Sequence, residues 1–254
     1  MTPSNIEQVT QALLAARRDR KPLATSPLAC ALSEAAEAYA VQDQLVASLP
    51  AQPKGVPRYW KSGGPGRDGL YPHAPLPAEG VWTSPADAGS WHFNICLVEA
   101  EIALRLVRDV TPAQAATMTY EDARALVDAM TVSIELVDSR WEGEVPPLLK
   151  LADLQAHGAL VLGTWVPFAA RDWTAQACTV QIGGKPLVER RGTHPLGDPA
   201  ALLPGWLRHV TRNGATIAAG TVVTTGSWCG MLPTAPGERV RVRFDGVGEA
   251  SVQL

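Results

Sequence analysis

Three glutamates carry the chemistry that this sequence suggests first. Glu99 and Glu101 stand two residues apart in Phe93 to Val107, a run that reads as one long strand. Side chains alternate along a strand, so both carboxylates project from one face, about 7 Å apart at the backbone, and both can reach one ion. Ile95, Leu97 and Ala103 share that face, while Cys96, Val98, Ala100, Ile102 and Leu104 form an apolar reverse side. A face that begins apolar and ends in charge is expected where a strand runs into a pocket. Glu135 is flanked by Ile134 and Leu136 in a second strand, from Met130 to Trp141. A lone carboxylate buried there costs several kcal/mol unless it is paired or metal-bound, which makes Glu135 the natural third ligand. Three carboxylates suit Mg²⁺ or Mn²⁺, hard ions that keep water positions open for a substrate. Spacing alone favours ion pairs of Glu99 and Glu101 with Arg105 or Arg140 on a partly exposed sheet.

The elements around these strands set the architecture. Ser4 caps a helix carrying Ile6, Val9, Leu13 and Leu14 at helical spacing, and a second helix is predicted from Ser33 to about Leu49. These give a helical N-terminal lobe, residues 1–50, before a β-rich core, residues 51–254; the two can count as one domain. Prolines and glycines between Pro50 and Trp91 exclude long elements and leave one short strand and a functional loop. Helices are predicted over Thr119 to Ala129, Leu148 to His157 and Pro199 to Arg212, the last capped by Asp198. Strands are predicted over Ala159 to Val166, Thr221 to Thr225, Arg239 to Phe244 and Glu249 to Val252, with a hairpin turning at Gly183 and Gly184. The fold class is α+β.

A net charge of −3 gives no basic field, which argues against nucleic acid as a partner. No apolar run is long enough for a signal peptide or a bilayer span, so no membrane association and a cytoplasmic location are expected. Cys30, Cys96, Cys178 and Cys229 form no C-x-x-C pair and read as free thiols.

The words around the carboxylates, Val98-Glu-Ala-Glu-Ile-Ala-Leu104 and Ile134-Glu-Leu-Val-Asp-Ser-Arg140, resemble the 2-keto-4-pentenoate hydratase and 4-oxalocrotonate decarboxylase group of the fumarylacetoacetate hydrolase superfamily. Glu37-Ala-Tyr-Ala-Val-Gln42, Lys61, Ala159-Leu-Val-Leu-Gly163, Pro195-Leu-Gly-Asp-Pro199 and Ala219-Gly-Thr-Val-Val-Thr-Thr-Gly-Ser227 continue the match in the family's order. The resemblance implies a mixed β-roll core with peripheral helices, and a metal held by Glu99, Glu101 and Glu135. It also implies a substrate whose carboxylate and 2-oxo oxygen chelate that metal, and a proton-handling lysine at Lys61, with its pKa lowered beside the ion. A homo-oligomer is implied as well. Thr225 and Ser227 are expected to hold a substrate carboxylate. Arg140 is placed with them as a substrate-binding residue that can also orient Asp138, itself read as structural.

The sequence departs from the family after Lys61, where Ser62-Gly-Gly-Pro-Gly-Arg67 and Leu70-Tyr-Pro-His-Ala-Pro-Leu76 replace its usual segment. The family's assisting aspartate has no counterpart there, and His73 stands near its place as a candidate acid or base. Ala152-Asp-Leu154 lacks the family's asparagine. The expected function is hydration of an unsaturated 2-oxo acid such as 2-hydroxypenta-2,4-dienoate in aromatic catabolism. The alternatives are a 2-oxo diacid decarboxylase, an acylpyruvate hydrolase, or a non-catalytic assembly subunit associated with a pathway enzyme.

Overall fold

The computed structural model describes residues 3–49, 55–64 and 71–254. Helix α1 (Asn5–Asp19) starts as expected: the Ser4 hydroxyl accepts from the Glu7 amide while the Glu7 carboxylate accepts from the Ser4 amide. It buries Val9 and Leu13 against Ala38, Val41 and Leu45 of α2 (Ala35–Ser48). The same apolar cluster takes in Trp141 and, from α3 (Pro147–Ala152), Leu149 and Leu151, so the N-terminal helices share a core with later residues.

A nine-stranded sheet lies at the centre. Its main strands are β1 (Tyr59–Ser62), β2 (His73–Pro75), β3 (Val81–Thr83), β4 (Leu97–Leu106), β5 (Val127–Val137), β6 (His157–Leu162) and β7 (Val222–Thr224), in spatial order β2-β1-β7-β4-β5-β6-β3. Residues Leu232–Pro233 and Val166–Pro167 extend it at β4 and β5. A five-stranded sheet is built from Val188–Arg191, Ala177–Ile182, Arg239–Phe244, Gly248–Gln253 and Ala86–Asp87. Arg239–Phe244 alternates exposed arginines with buried Val240, Val242 and Phe244, and these join Val132 and Ile134 of β5 in one core.

Several predicted boundaries move. The described residues of the Pro50 to Trp91 segment hold four short strands rather than one, each of two to four residues set between its prolines. The predicted Thr119–Ala129 helix ends at Arg124, because Val127 already pairs with Leu106 to open β5. Strand β5 also stops at Val137, short of Trp141. Ile95 lies exposed ahead of β4, its amide bound by the Asp138 carboxylate instead of a neighbouring strand. The helix predicted to His157 ends at Ala152, and Leu154, Gln155 and Ala156 follow with φ of 49°, 58° and 56°. Three left-handed non-glycine residues in a row cost about 1–2 kcal/mol each and hold the chain where β6 must begin. The last helix opens as a 3₁₀ turn, Pro199–Leu202, on the Asp198 cap, and continues as α4 (Leu203–Val210).

Gly158 lets β6 lie tight on β5. A Cβ there meets the Leu136 carbonyl at 2.7 Å and Asp138 Cβ at 2.8 Å. Gly158→Ala is therefore expected to push β6 off the strand that carries Glu135. Thermal unfolding should report a loss of about 1–3 kcal/mol, the usual penalty for overpacking, and dication affinity should fall with it. An unchanged melting temperature contradicts this packing.

Candidate active site

Antiparallel pairing of β4 with β5 sets Glu99 directly opposite Glu135, and Glu101 opposite Ser133. Like charges facing each other across strands are destabilising unless something neutralises them. Carboxylate oxygens of Glu99, Glu101 and Glu135 lie within 4.8 Å of one another, with Glu101 and Glu135 buried and Glu99 half-buried. The expected ion pairs are not made: Arg105 is taken by Asp128, and Arg140 by Asp153 and Asp138.

The strand order supplies a cation. Strand β7 lies between β1 and β4, with Thr224 beside both Lys61 and Ala103. Lys61 Nζ donates to Glu135 Oε1 and, at 3.2 Å, to the carbonyl of Gln155 in the left-handed turn. The Thr224 hydroxyl donates to Glu101 and shares a 2.8 Å hydrogen bond with the Ser133 hydroxyl. His157 Nδ1 lies 3.2 Å from Glu135 Oε1. The other oxygen, Glu135 Oε2, is buried with no hydrogen-bond partner among the described residues.

Charge and burial divide the carboxyls. Burial, then Glu135 and Glu99, push Glu101 up to about 8; burial and Glu135 push Glu99 up as well. Burial also presses upward on Glu135, but Lys61 and His157 outweigh it and hold Glu135 low. Burial presses the Lys61 ammonium downward, yet Glu135, Glu99 and Glu101 outweigh it and raise it. Among the described residues the three carboxylates thus raise Lys61; the lowering expected from the sequence is that beside a bound ion. The orphaned Glu135 oxygen and an all-carboxylate donor set fit a hard dication.

A pH dependence follows. Glu101 binds its proton more tightly folded than unfolded, so its contribution to metal-free stability is full below its ordinary 4.5 and is lost as pH rises through about 8. Glu99 acts in the same direction and Glu135 in the opposite one, at lower pH. In EDTA, urea midpoints are expected to fall across the window from 4.5 to 8, and Mg²⁺ should restore them while displacing a proton. Calorimetry in buffers of differing ionisation enthalpy counts that proton; no release contradicts the assignment.

A cavity of about 600 Å³ opens over this cluster, lined among others by Lys61, Glu99, Glu101, Lys150, Arg190 and Ser227. Ser227 lines the cavity; its hydroxyl donates to the Gly230 carbonyl at 3.0 Å and presses Glu99 downward against the larger upward push of burial. Thr225 is not: its hydroxyl donates to the Ile102 carbonyl at 2.7 Å, and its neighbour Thr224 faces the carboxylates instead. His73 pairs across β2 and β1 with Ser62, on the opposite face from Lys61. Its Nδ1 shares 2.8 Å with the Ser62 hydroxyl, and burial, with Arg212 nearby, lowers it to about 3, leaving a neutral ring tilted against His209 with centroids 4.6 Å apart. Arg140 lies outside this cavity, its Nε 2.7 Å from Asp153, where it lines a separate one with Arg17 and Asp138. Asp138 is structural as expected, accepting the Asn94 and Ile95 amides. Of the altered loop after Lys61, residues 65–70 lie outside the described ones.

Sequence reasoning missed Ser133, Thr224, His157 and Gln155. Ser133 was within reach, because it precedes Glu135 by two residues and so shares its face. The others depend on which distant strands pair, and no local signal marks that.

Residues 83–254 match the fumarylacetoacetate (FAA) hydrolase C-terminal family. A stretch of 159 residues is 36% identical to 2-keto-4-pentenoate hydratase 2 of Dechloromonas aromatica (strain RCB), covering 61% of this chain and 58% of that protein. Another, of 160 residues, is 29% identical to the 2-hydroxyhexa-2,4-dienoate hydratase of Comamonas testosteroni, covering 61% and 59%. The matched stretch thus spans less than two thirds of these relatives' length. The 4-oxalocrotonate decarboxylase from Pseudomonas putida G7, complexed with magnesium and adipate, shares the fold at a TM-score of 0.82, with 20% identity over 97% of each chain.

Proposed function

The chain belongs to the fumarylacetoacetate hydrolase family, and from that premise we propose that it is a metal-dependent lyase that hydrates a small unsaturated 2-oxo acid. The observation that carries the reading is the cluster of Glu99, Glu101 and Glu135 closed on one side by Lys61 and left with an unpartnered oxygen on Glu135. Those three carboxylates would hold Mg²⁺ or Mn²⁺. When bound, the ion supplies a Lewis acid that polarises the 2-oxo group and is worth several kcal/mol. Lys61 holds a proton at Nζ and exchanges it with the substrate's carbon skeleton. Gln155 and Glu135 fix the ammonium in place, and Thr224 fixes Glu101. Ser227, at the cavity wall, receives the substrate carboxylate. Relatives named as hydratases support the reaction class, and the magnesium in the decarboxylase of the same fold supports the ion.

The mixed sheets with outer helices fit the β-roll of that family, with residues 1–50 as its helical lobe. No helix among the described residues is long and apolar enough to cross a membrane. We place the enzyme in the cytoplasm, as a homo-oligomer serving aromatic catabolism.

Purified protein with Mg²⁺ and 2-hydroxypenta-2,4-dienoate is expected to bleach the dienol absorbance without releasing CO₂. Release of CO₂ from a diacid, or cleavage to pyruvate and an acid, moves the chain to the decarboxylase or acylpyruvate hydrolase reading. Absence of turnover on all three, with partner activity dependent on the chain, identifies an assembly subunit.

A further inference from the structure

We propose that the second cavity, which Arg17 and Arg140 line, is a separate binding site for a small aromatic carboxylate. It encloses about 480 Å³ and shares no lining residue with the cavity over Glu99 and Glu101. Arg17 comes from the last turn of α1, and Arg140 follows β5. Both guanidinium groups address one oxygen, Asp153 Oδ1, with Arg140 Nε at 2.7 Å and Arg17 Nη2 at 3.2 Å. Asp153 Oδ2 is taken by the Arg140 amide, and Asp138 Oδ1 by the Asn94 and Ile95 amides. Arg17 therefore holds only the longer share of one carboxylate, and its Nε is buried with no hydrogen-bond partner among the described residues. An unpaired buried donor is costly, and a ligand carboxylate at the cavity wall relieves that cost. Burial and the neighbouring Arg140 charge lower Arg17 to about 10, so it remains a cation at neutral pH. Arginine's planar fork suits a carboxylate. Glu79 and Asp87 also line the cavity, but both are exposed, where solvent screens them.

Two tryptophans add selectivity for a ring. Trp82 and Trp91 line the same cavity as an edge-to-face pair, their centroids 5.3 Å apart and their planes at 84°. The Trp82 indole is anchored by its Nε1, which donates to the Glu79 carbonyl at 3.1 Å. Trp91 is left 36% exposed, a large aromatic surface that a flat ring can cover by stacking. An inorganic anion satisfies only the arginine and an uncharged ring only the tryptophans; a carboxylate carried on an aromatic ring satisfies both.

The test is calorimetric titration of benzoate, benzamide and acetate into the Mg²⁺-loaded protein with oxalate present to occupy the glutamate cavity. Benzoate is expected to bind with a Kd below about 1 mM, and benzamide and acetate at least about tenfold more weakly. Arg17→Lys keeps a cation for Asp153 but has no Nε fork, and should weaken benzoate about tenfold. Trp91→Ala, at an exposed position, should weaken it to a similar extent, and Trp91→Phe should restore most of the loss. No saturable binding of benzoate overturns the site, and so does binding that neither Arg17→Lys nor Trp91→Ala weakens. Equal affinity for benzamide or for acetate overturns the aromatic carboxylate as its ligand. None of these results bears on the hydratase reading, which the dienol assay decides by itself.

Discussion

Replacing Glu135 by glutamine is expected to lower kcat/KM for the 2-oxo acid by about a thousandfold or more, because several kcal/mol of Lewis-acid stabilisation leave with the ion. The amide preserves the volume of a fully buried side chain, so the loss reads charge rather than packing. Glu135 is the ligand with the most at stake. One oxygen is held by Lys61 and His157, and the other has no partner among the described residues. Stability should fall by less than the 3–5 kcal/mol typical of a broken buried pair, because Glu99 and Glu101 remain beside Lys61 and their mutual repulsion with Glu135 is relieved. Kinetics at saturating Mg²⁺ check the first statement and urea unfolding in EDTA the second. Wild-type kcat/KM in the variant removes Glu135 from the site.

Lys61→Met separates proton transfer from metal binding. The thioether chain fills much of the lysine's space but carries no proton, and loss of a positioned general acid or base lowers kcat by about 10²–10⁴-fold. The substitution also strips Glu135 of the ammonium that donates to it. The metal-free variant should therefore melt below wild type, and Mg²⁺ should raise its melting temperature by a larger increment than it raises that of wild type. A smaller increment, or a kcat within a few-fold of wild type, leaves Lys61 as a counter-ion alone.

Much of this site is legible in the chain because period-two alternation is local. It aligns Glu99 with Glu101, sets Glu135 among apolar neighbours and marks the hairpin at Gly183. The capping box at Ser4 is equally local. What alternation leaves open is phase where both faces are buried. Val222 to Thr225 is buried throughout, so Thr224 and Thr225 exchange places on a shift of one residue. His73 fails for a related reason: proximity in sequence to Lys61 says nothing of the face, which pairing with Ser62 decides. Arg140 is captured by Asp153, thirteen residues on, after α3 turns the chain back. The left-handed run at Leu154, Gln155 and Ala156 contains neither glycine nor proline, so nothing in those residue types announces the end of a helix.

The central claim is that Glu99, Glu101 and Glu135 together hold one dication, and electron paramagnetic resonance of a Mn²⁺ titration tests it most directly. The free aquo-ion signal should stay suppressed until one equivalent per chain in wild type, change shape when oxalate is added, and appear from the first addition in Glu135→Gln. Equal free Mn²⁺ signals in wild type and variant would contradict the account.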